Sequence, residues 1–141
     1  MTIEAAFDEY RIFLEGLTVE KLHHFPEHVA PDVKFKDPFH DTSGLSRMHG
    51  IFKKLFDKVK EMEFAIINHA ISGRVVLFQW RLSGILYGRS WTVEGMTRIT
   101  FNDEEKVTQH LEYWDAASQV YEQFPVIGPL LRFFRRRISG T

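Results

Sequence analysis

Cysteine is absent from this chain, which removes disulfides, thiolate nucleophiles and thiolate metal ligands from any account of it. A charge excess is lacking too. The 18 Lys and Arg against 19 Asp and Glu leave a formal net charge of −1, which gives no global attraction to a polyanion. No basic stripe interleaved with aromatics runs through the middle of the chain, so a nucleic-acid partner is not expected. No stretch approaches the roughly 20 apolar residues of a membrane span. The opening Met1-Thr2-Ile3-Glu4 carries an acid where a secretory signal needs basic residues followed by an apolar run. Repeats, low-complexity segments and Gly-rich phosphate loops are missing as well. These absences lead to the expectation of a soluble, cytoplasmic protein. Its 141 residues suit one domain covering 1–141.

What the chain does have is rings: 13 Phe, 3 Trp and 4 Tyr within a 44% hydrophobic composition. Large rigid rings can line a cavity as well as fill a core. Ile3, Ala6, Phe7, Tyr10, Phe13, Leu14 and Leu17 recur at helical spacing, predicting an amphipathic helix over about the first seventeen residues. Thr18 suits the cap of a shorter second helix carrying Leu22, Phe25 and Val29, with Pro26 bending it and Pro31-Asp32 ending it. A strand over 33–37 follows, then a loop over 40–44. A third helix carries Leu45, Met48, Ile51, Phe52, Leu55, Phe56 and Val59. From there the period changes to two. Strands are predicted over 63–71, 74–84, 90–101 and 106–114, with Val76, Phe78, Trp80 and Leu82 on one face. Asp115 stands where an N-cap belongs. The chain closes with a basic amphipathic helix over about 125–138. Helices first and antiparallel strands after predict an α+β fold, a strongly curved, cone-shaped antiparallel sheet whose N-terminal helices cover a concave pocket.

Asp37 ends its strand in Phe35-Lys36-Asp37-Pro38-Phe39. A carboxylate there, amid aromatics, can serve as a general base in an apolar pocket. Asp-Pro is also ordinary turn chemistry, and both readings stand. His24 and His28 have the i,i+4 spacing of metal ligands, but Pro26 between them breaks the face, so no metal site is expected. Arg132, Arg135, Arg136 and Arg137 could serve an anionic membrane surface. The preferred expectation lays Val126, Ile127, Leu130, Leu131 and Phe134 against the sheet, the cavity mouth or a partner subunit instead, and membrane contact is not expected.

The order helix, helix, strand ending in Asp-Pro, helix, antiparallel strands resembles the nuclear-transport-factor-like superfamily, which includes ketosteroid isomerase and SnoaL-like polyketide cyclases. Phe35-Lys36-Asp37-Pro38 resembles the strand end that carries the isomerase base. Trp80-Arg81-Leu82-Ser83-Gly84 resembles a SnoaL-like strand, and Phe101-Asn102-Asp103-Glu104-Glu105-Lys106-Val107 with His110 and Tyr113-Trp114-Asp115 resembles that group's final hairpin. The resemblance implies that Asp37 is the base and that Tyr10 stands for the tyrosine of the oxyanion site. The place of the isomerase's second acid is held by Thr97, a weaker donor. It also implies that His110 and Trp114 face the cavity, His110 as a second proton-transfer group. Phe39, Phe52, Phe56, Trp80, Trp91, Thr97 and Trp114 are then the expected ligand-binding residues, with Gly95 and Thr97 taken as signs of open space.

The resemblance further implies a homodimer, paired through the sheet face that its own helices leave bare. The expected function is cofactor-independent acid–base chemistry on an apolar, carbonyl-bearing ligand: isomerisation, dehydration or cyclisation. The alternative is a binding protein that holds a hydrophobic ligand or partner without chemistry.

Overall fold

A computed structural model describes residues 1–125 and 127–140. Helix α1 (Ile3–Glu15) begins where the Thr2 hydroxyl accepts from the amide of Ala5 at 3.1 Å, satisfying one of the donors that a helix start leaves open. Its apolar period becomes a buried stripe of Ala6, Phe7, Tyr10 and Leu14. The segment expected as a second helix is a 3₁₀ run, Val19–Glu27, and Thr18 makes no side-chain cap there. Pro26 within it has no amide to donate. Val29, assigned to that helix by spacing, instead opens strand β1 (Val29–Asp37). Pro31 therefore lies inside a strand, at the point where the register shifts between Val29 and Lys34, and such bulges tolerate a residue without an N–H.

Residues expected as a loop form β2 (His40–Ser43), which folds back antiparallel on β1 with Phe35 opposite Thr42. The Asp37 carboxylate closes that turn by accepting from the amide of Phe39 at 2.8 Å. After α2 (Leu45–Lys58) come four long strands: β3 (Val59–Ser72), β4 (Val75–Leu86), β5 (Arg89–Phe101) and β6 (Val107–Tyr113). Each pairs antiparallel with the next. The β4–β5 hairpin turns at Tyr87 (φ 50°) and Gly88 (φ 75°), the two left-handed residues that a two-residue hairpin requires.

The sheet order is β2-β1-β6-β5-β4-β3. The expected antiparallel sheet is corrected at one junction, because β1 runs parallel to β6. Local periodicity identifies hairpin neighbours but not a partner that returns after a helix and three strands. The result is a curved, open, mixed sheet. Its inner face carries Trp80, Leu82, Trp91 and Val93. α1 packs on β3, and the Glu15 carboxylate accepts from the amide of Ile66 at 2.9 Å. α2 packs on β1 and on the 3₁₀ run.

Beyond the sheet, Asp115 caps α3 (Ala116–Gln119), accepting from the amide of Ser118 at 3.2 Å. The Ser118 hydroxyl, which donates to the other carboxylate oxygen, and after it that amide hold the Asp115 carboxyl below its ordinary pKa. A single 3₁₀ turn, Tyr121–Gln123, precedes α4 (Ile127–Ser139). α4 packs on that turn. Leu130 and Phe134, expected against the sheet, the cavity mouth or a partner, are more than half exposed; Val126 lies outside the described residues. No helix among the described residues is long and apolar enough to cross a membrane.

Candidate functional site

Between the inner face of the sheet, α2 and the 116–124 segment lies a cavity of about 400 Å³. The sheet contributes Trp80, Leu82, Trp91 and Val93 to its wall, Trp114 follows directly after β6, and α2 contributes Ile51, Phe52 and Leu55. Phe39 joins from the β1–β2 turn, its ring edge-on to Trp114 at 5.5 Å and to Tyr121 at 5.8 Å. Five of the expected ligand-binding residues therefore line the space: Phe39, Phe52, Trp80, Trp91 and Trp114. Phe56 packs against the core instead.

Thr97 is also set back in the wall. It is 1% exposed, and its hydroxyl accepts from the Trp80 indole N–H at 2.7 Å. Gly95 marks close packing rather than open space. A Cβ there would stand 2.5 Å from the Trp80 ring and 2.9 Å from Trp114 Cβ, so glycine lets two indoles lie against the backbone. Small residues on a strand face can signal either a hollow or a large neighbour, and here the neighbour is Trp80.

The polar groups fall into two sets. At the mouth, Asp37 lines the cavity but its carboxylate is engaged. Oδ1 accepts from the Phe39 amide at 2.8 Å, and His40 Nδ1 lies 2.9 Å from Oδ1 and 3.1 Å from Oδ2. The turn reading of Asp37 thus has its geometry, and His40, absent from the expected site, lines the same cavity beside it.

The second set runs through the wall. Tyr10 and His110 are 1% and 2% exposed and neither lines the cavity. The Tyr10 hydroxyl meets His110 Nδ1 at 2.9 Å, and His110 Nε2 meets Glu112 Oε1 at 3.1 Å. An ionised carboxylate only accepts, so Nε2 carries the ring proton and Nδ1 accepts from the phenol. Burial, and secondarily the charge of Glu112, push the Tyr10 pKa well above the ordinary tyrosine value, which keeps the phenol a donor. Phe35, stacked on the imidazole at 5.4 Å, and Phe52, edge-on at 6.3 Å, enclose the ring.

Glu112 is the end of this chain that reaches the cavity. Oε1 is held by His110, while Oε2 makes no hydrogen bond among the described residues. Parallel pairing sets Phe35 beside His110 and Lys36 beside Leu111. One further step along that register brings Asp37 beside Glu112, on strands about 4.8 Å apart. Asp37, His40 and Glu112 thus line one apolar hollow, with His110 behind Glu112 in its wall. Glu112 was legible in principle: His110, Glu112 and Trp114 alternate along one face, and an acid at an inward strand position is costly unless it is used or paired.

Elsewhere, His24 pairs with Glu27 at 3.2 Å and His28 stacks on Phe13 at 4.4 Å. Among the described residues no group of three or more side chains could hold a metal ion.

Comparison with known proteins agrees with this architecture. No curated protein matches the chain. A putative SnoaL-like polyketide cyclase from Jannaschia sp. CCS1 superposes with a TM-score of 0.68 at 19% identity, over 80% of this chain and 85% of its own. A hypothetical protein of ketosteroid isomerase-like fold from Catenulispora acidiphila, in complex with trimethylamine, gives 0.68 at 16%, over 84% and 90%. An LEH-like epoxide hydrolase from M. tuberculosis gives 0.66 at 15%, over 98% and 91%. At these identities the likeness is one of fold, and that fold carries isomerases, cyclases and epoxide hydrolases. The family model of the SnoaL-like domain matches residues 10–110, and the chain belongs to that family.

Proposed function

We propose that this chain is a cofactor-independent acid–base enzyme acting on a largely apolar, carbonyl-bearing ligand, by isomerisation, dehydration or cyclisation. The observation that carries the reading is Glu112, a carboxylate at the cavity wall with one oxygen fixed by His110 and the other unengaged. In this reading Glu112 takes the proton next to the substrate carbonyl. The His110 N–H and the Tyr10 hydroxyl behind it hold Glu112 in place. His40, braced by Asp37 at the same edge of the cavity, returns a proton. The base role expected for Asp37 passes to Glu112 because the Asp37 oxygens are already committed to Phe39 and His40. Tyr10 and Thr97, expected as oxyanion donors, have hydroxyls engaged by His110 and Trp80.

A screen of apolar ketones and enones, followed by Glu112→Gln, tests this. Turnover should fall about 10²–10⁴-fold, the usual contribution of a general acid or base, with folding and ligand binding kept. Asp37→Asn should cost less. Unchanged turnover in Glu112→Gln overturns the assignment.

The second reading is a protein that binds an apolar ligand without chemistry. It is favoured by one specific observation: Asp37, His110, Tyr10 and Thr97 all spend polar atoms on one another or on the wall. A hydrophobic ligand recovered unaltered, and held equally by wild type and Glu112→Gln, would establish it.

A further inference from the structure

Helix α4 (Ile127–Ser139) presents two unsatisfied features at once. Its sequence holds Arg132, Arg135, Arg136 and Arg137 and no acidic residue, although the whole chain carries a net charge of only −1. Its large apolar side chains are turned outward: Leu130 56%, Phe133 53%, Phe134 53% and Ile138 88% exposed. Ile127, Leu130, Phe134 and Ile138 follow one another at intervals of three, four and four, which is one continuous stripe on a helix about 20 Å long.

The helix is held to the domain by another side. Gly128 packs so tightly that a Cβ would collide with the backbone carbonyl of Glu122. Arg132 donates to that same carbonyl, and Arg135 lies 2.9 Å from the buried Glu122 carboxylate. Two arginines and the glycine thus fix α4 on the Tyr121–Gln123 turn. Arg136 and Arg137 make no ion pair among the described residues, and Arg137 lies over the exposed Phe133 ring at 6.0 Å.

We propose that α4 is an interfacial helix that docks on an anionic lipid bilayer, with the Ile127, Leu130, Phe134 and Ile138 stripe entering the headgroup boundary. A rigidly mounted helix with an outward apolar stripe and flanking arginines fits such a surface, because long basic side chains reach the headgroups while their stems stay with the apolar phase. Charge decides between a bilayer and a second copy of the same helix. Two α4 helices face to face would bring the Arg136 and Arg137 pairs of both copies together, four charges without an ion-pair partner among the described residues and with no acid on either helix to offset them. An anionic membrane supplies the missing charge. Tyr121 in the mounting turn and Phe124 just after it line the cavity of about 400 Å³, so docking would bring its mouth to the bilayer. That last consequence, unlike the docking itself, rests on the proposed function.

Co-sedimentation of the full chain with vesicles tests the docking without any activity. It should pellet with phosphatidylcholine–phosphatidylserine vesicles at low ionic strength, stay in solution with phosphatidylcholine alone, and be released by added salt. R136E/R137E, which touches neither the Glu122 contacts nor the cavity, should weaken binding by at least about tenfold, since each basic residue near such a surface counts separately. F134S/I138S should abolish binding although every arginine remains. Both variants should keep the wild-type circular dichroism spectrum. The proposal is overturned if the wild type stays in the supernatant with anionic vesicles, or if R136E/R137E binds like wild type. It is overturned equally if F134S/I138S instead dissolves an oligomer, which would make a second copy the occupant of the stripe.

Discussion

At His110 two hydrogen bonds fix one ring: the Tyr10 phenol donates to Nδ1, and the Nε2–H donates to Glu112. Removing the phenol leaves a buried acceptor without a donor, which costs about 1–3 kcal/mol. Tyr10→Phe should therefore lower stability by that amount in chemical denaturation. It should also move the ¹⁵N shift of Nδ1, which loses its donor, while Glu112 keeps the ring proton on Nε2. A purely packing role for Tyr10 would leave that shift unchanged. Much at this scale was legible in the sequence. The strand period set His110 and Trp114 on one face, and the resemblance turned that face inward and paired Tyr10 with the site. What sequence could not supply was the depth of each group. Tyr10 and His110 stand behind the wall, and Glu112, two residues on, is the one that emerges into the cavity. Inward-pointing is a property of strand parity; reaching a cavity depends on which large rings, here Phe35 and Phe52, fill the space in front.

Elements whose periodicity is strong and local were legible: α1, α2 and the β3–β6 meander appear where spacing put them, with strand ends shifted by a few residues. The failures cluster around proline and around the strand partner of β1. Between Thr18 and Val29 the apolar spacing suggested a helix, yet Pro26 and the need of β1 for a place beside β6 turned most of it into a 3₁₀ run and gave Val29 to the strand, which starts four residues before the expected 33–37. His28 sits at that change, its ring stacked on Phe13. Burial lowers its pKa from the ordinary histidine value; Glu27 and Glu9 pull it back up, while Lys106 and His24 lower it further. A folded pKa below the unfolded one means that the unfolded chain binds more protons in acid. The stability gained from neutral His28 is thus present above about pH 6.5 and lost as pH falls through the lowered value. Urea midpoints should drop between about pH 7.5 and 5.5, and His28→Gln should flatten that drop. An identical slope in the variant would assign the acid loss to other groups.

For the whole molecule the open question is the outer face of the sheet, which helices do not cover. Ile67, Leu77, Met96 and Tyr113 lie on β3, β4, β5 and β6, each 43% to 56% exposed, and Met96 is directly paired with Tyr113 across β5 and β6. Single exposed apolar residues are ordinary, but a patch spanning four adjacent strands is characteristic of an interaction surface. We propose that it is the face through which two copies pair. β4 has 12 residues, about 40 Å of strand, and four strands are about 19 Å wide, so the face offers roughly 750 Å². A stable interface buries about 800 Å² per partner, which this face comes close to supplying by itself. Pairing here is independent of α4, whose stripe belongs to another part of the surface. Sedimentation equilibrium should therefore give twice the chain mass for the wild type and for F134S/I138S alike. Leu77→Glu combined with Met96→Arg should give a single-chain mass with the wild-type circular dichroism spectrum, because both positions face outward and fill no core. A single-chain mass for the wild type at high micromolar concentration would remove the dimer. A dimer that survives the double substitution would move it to another face.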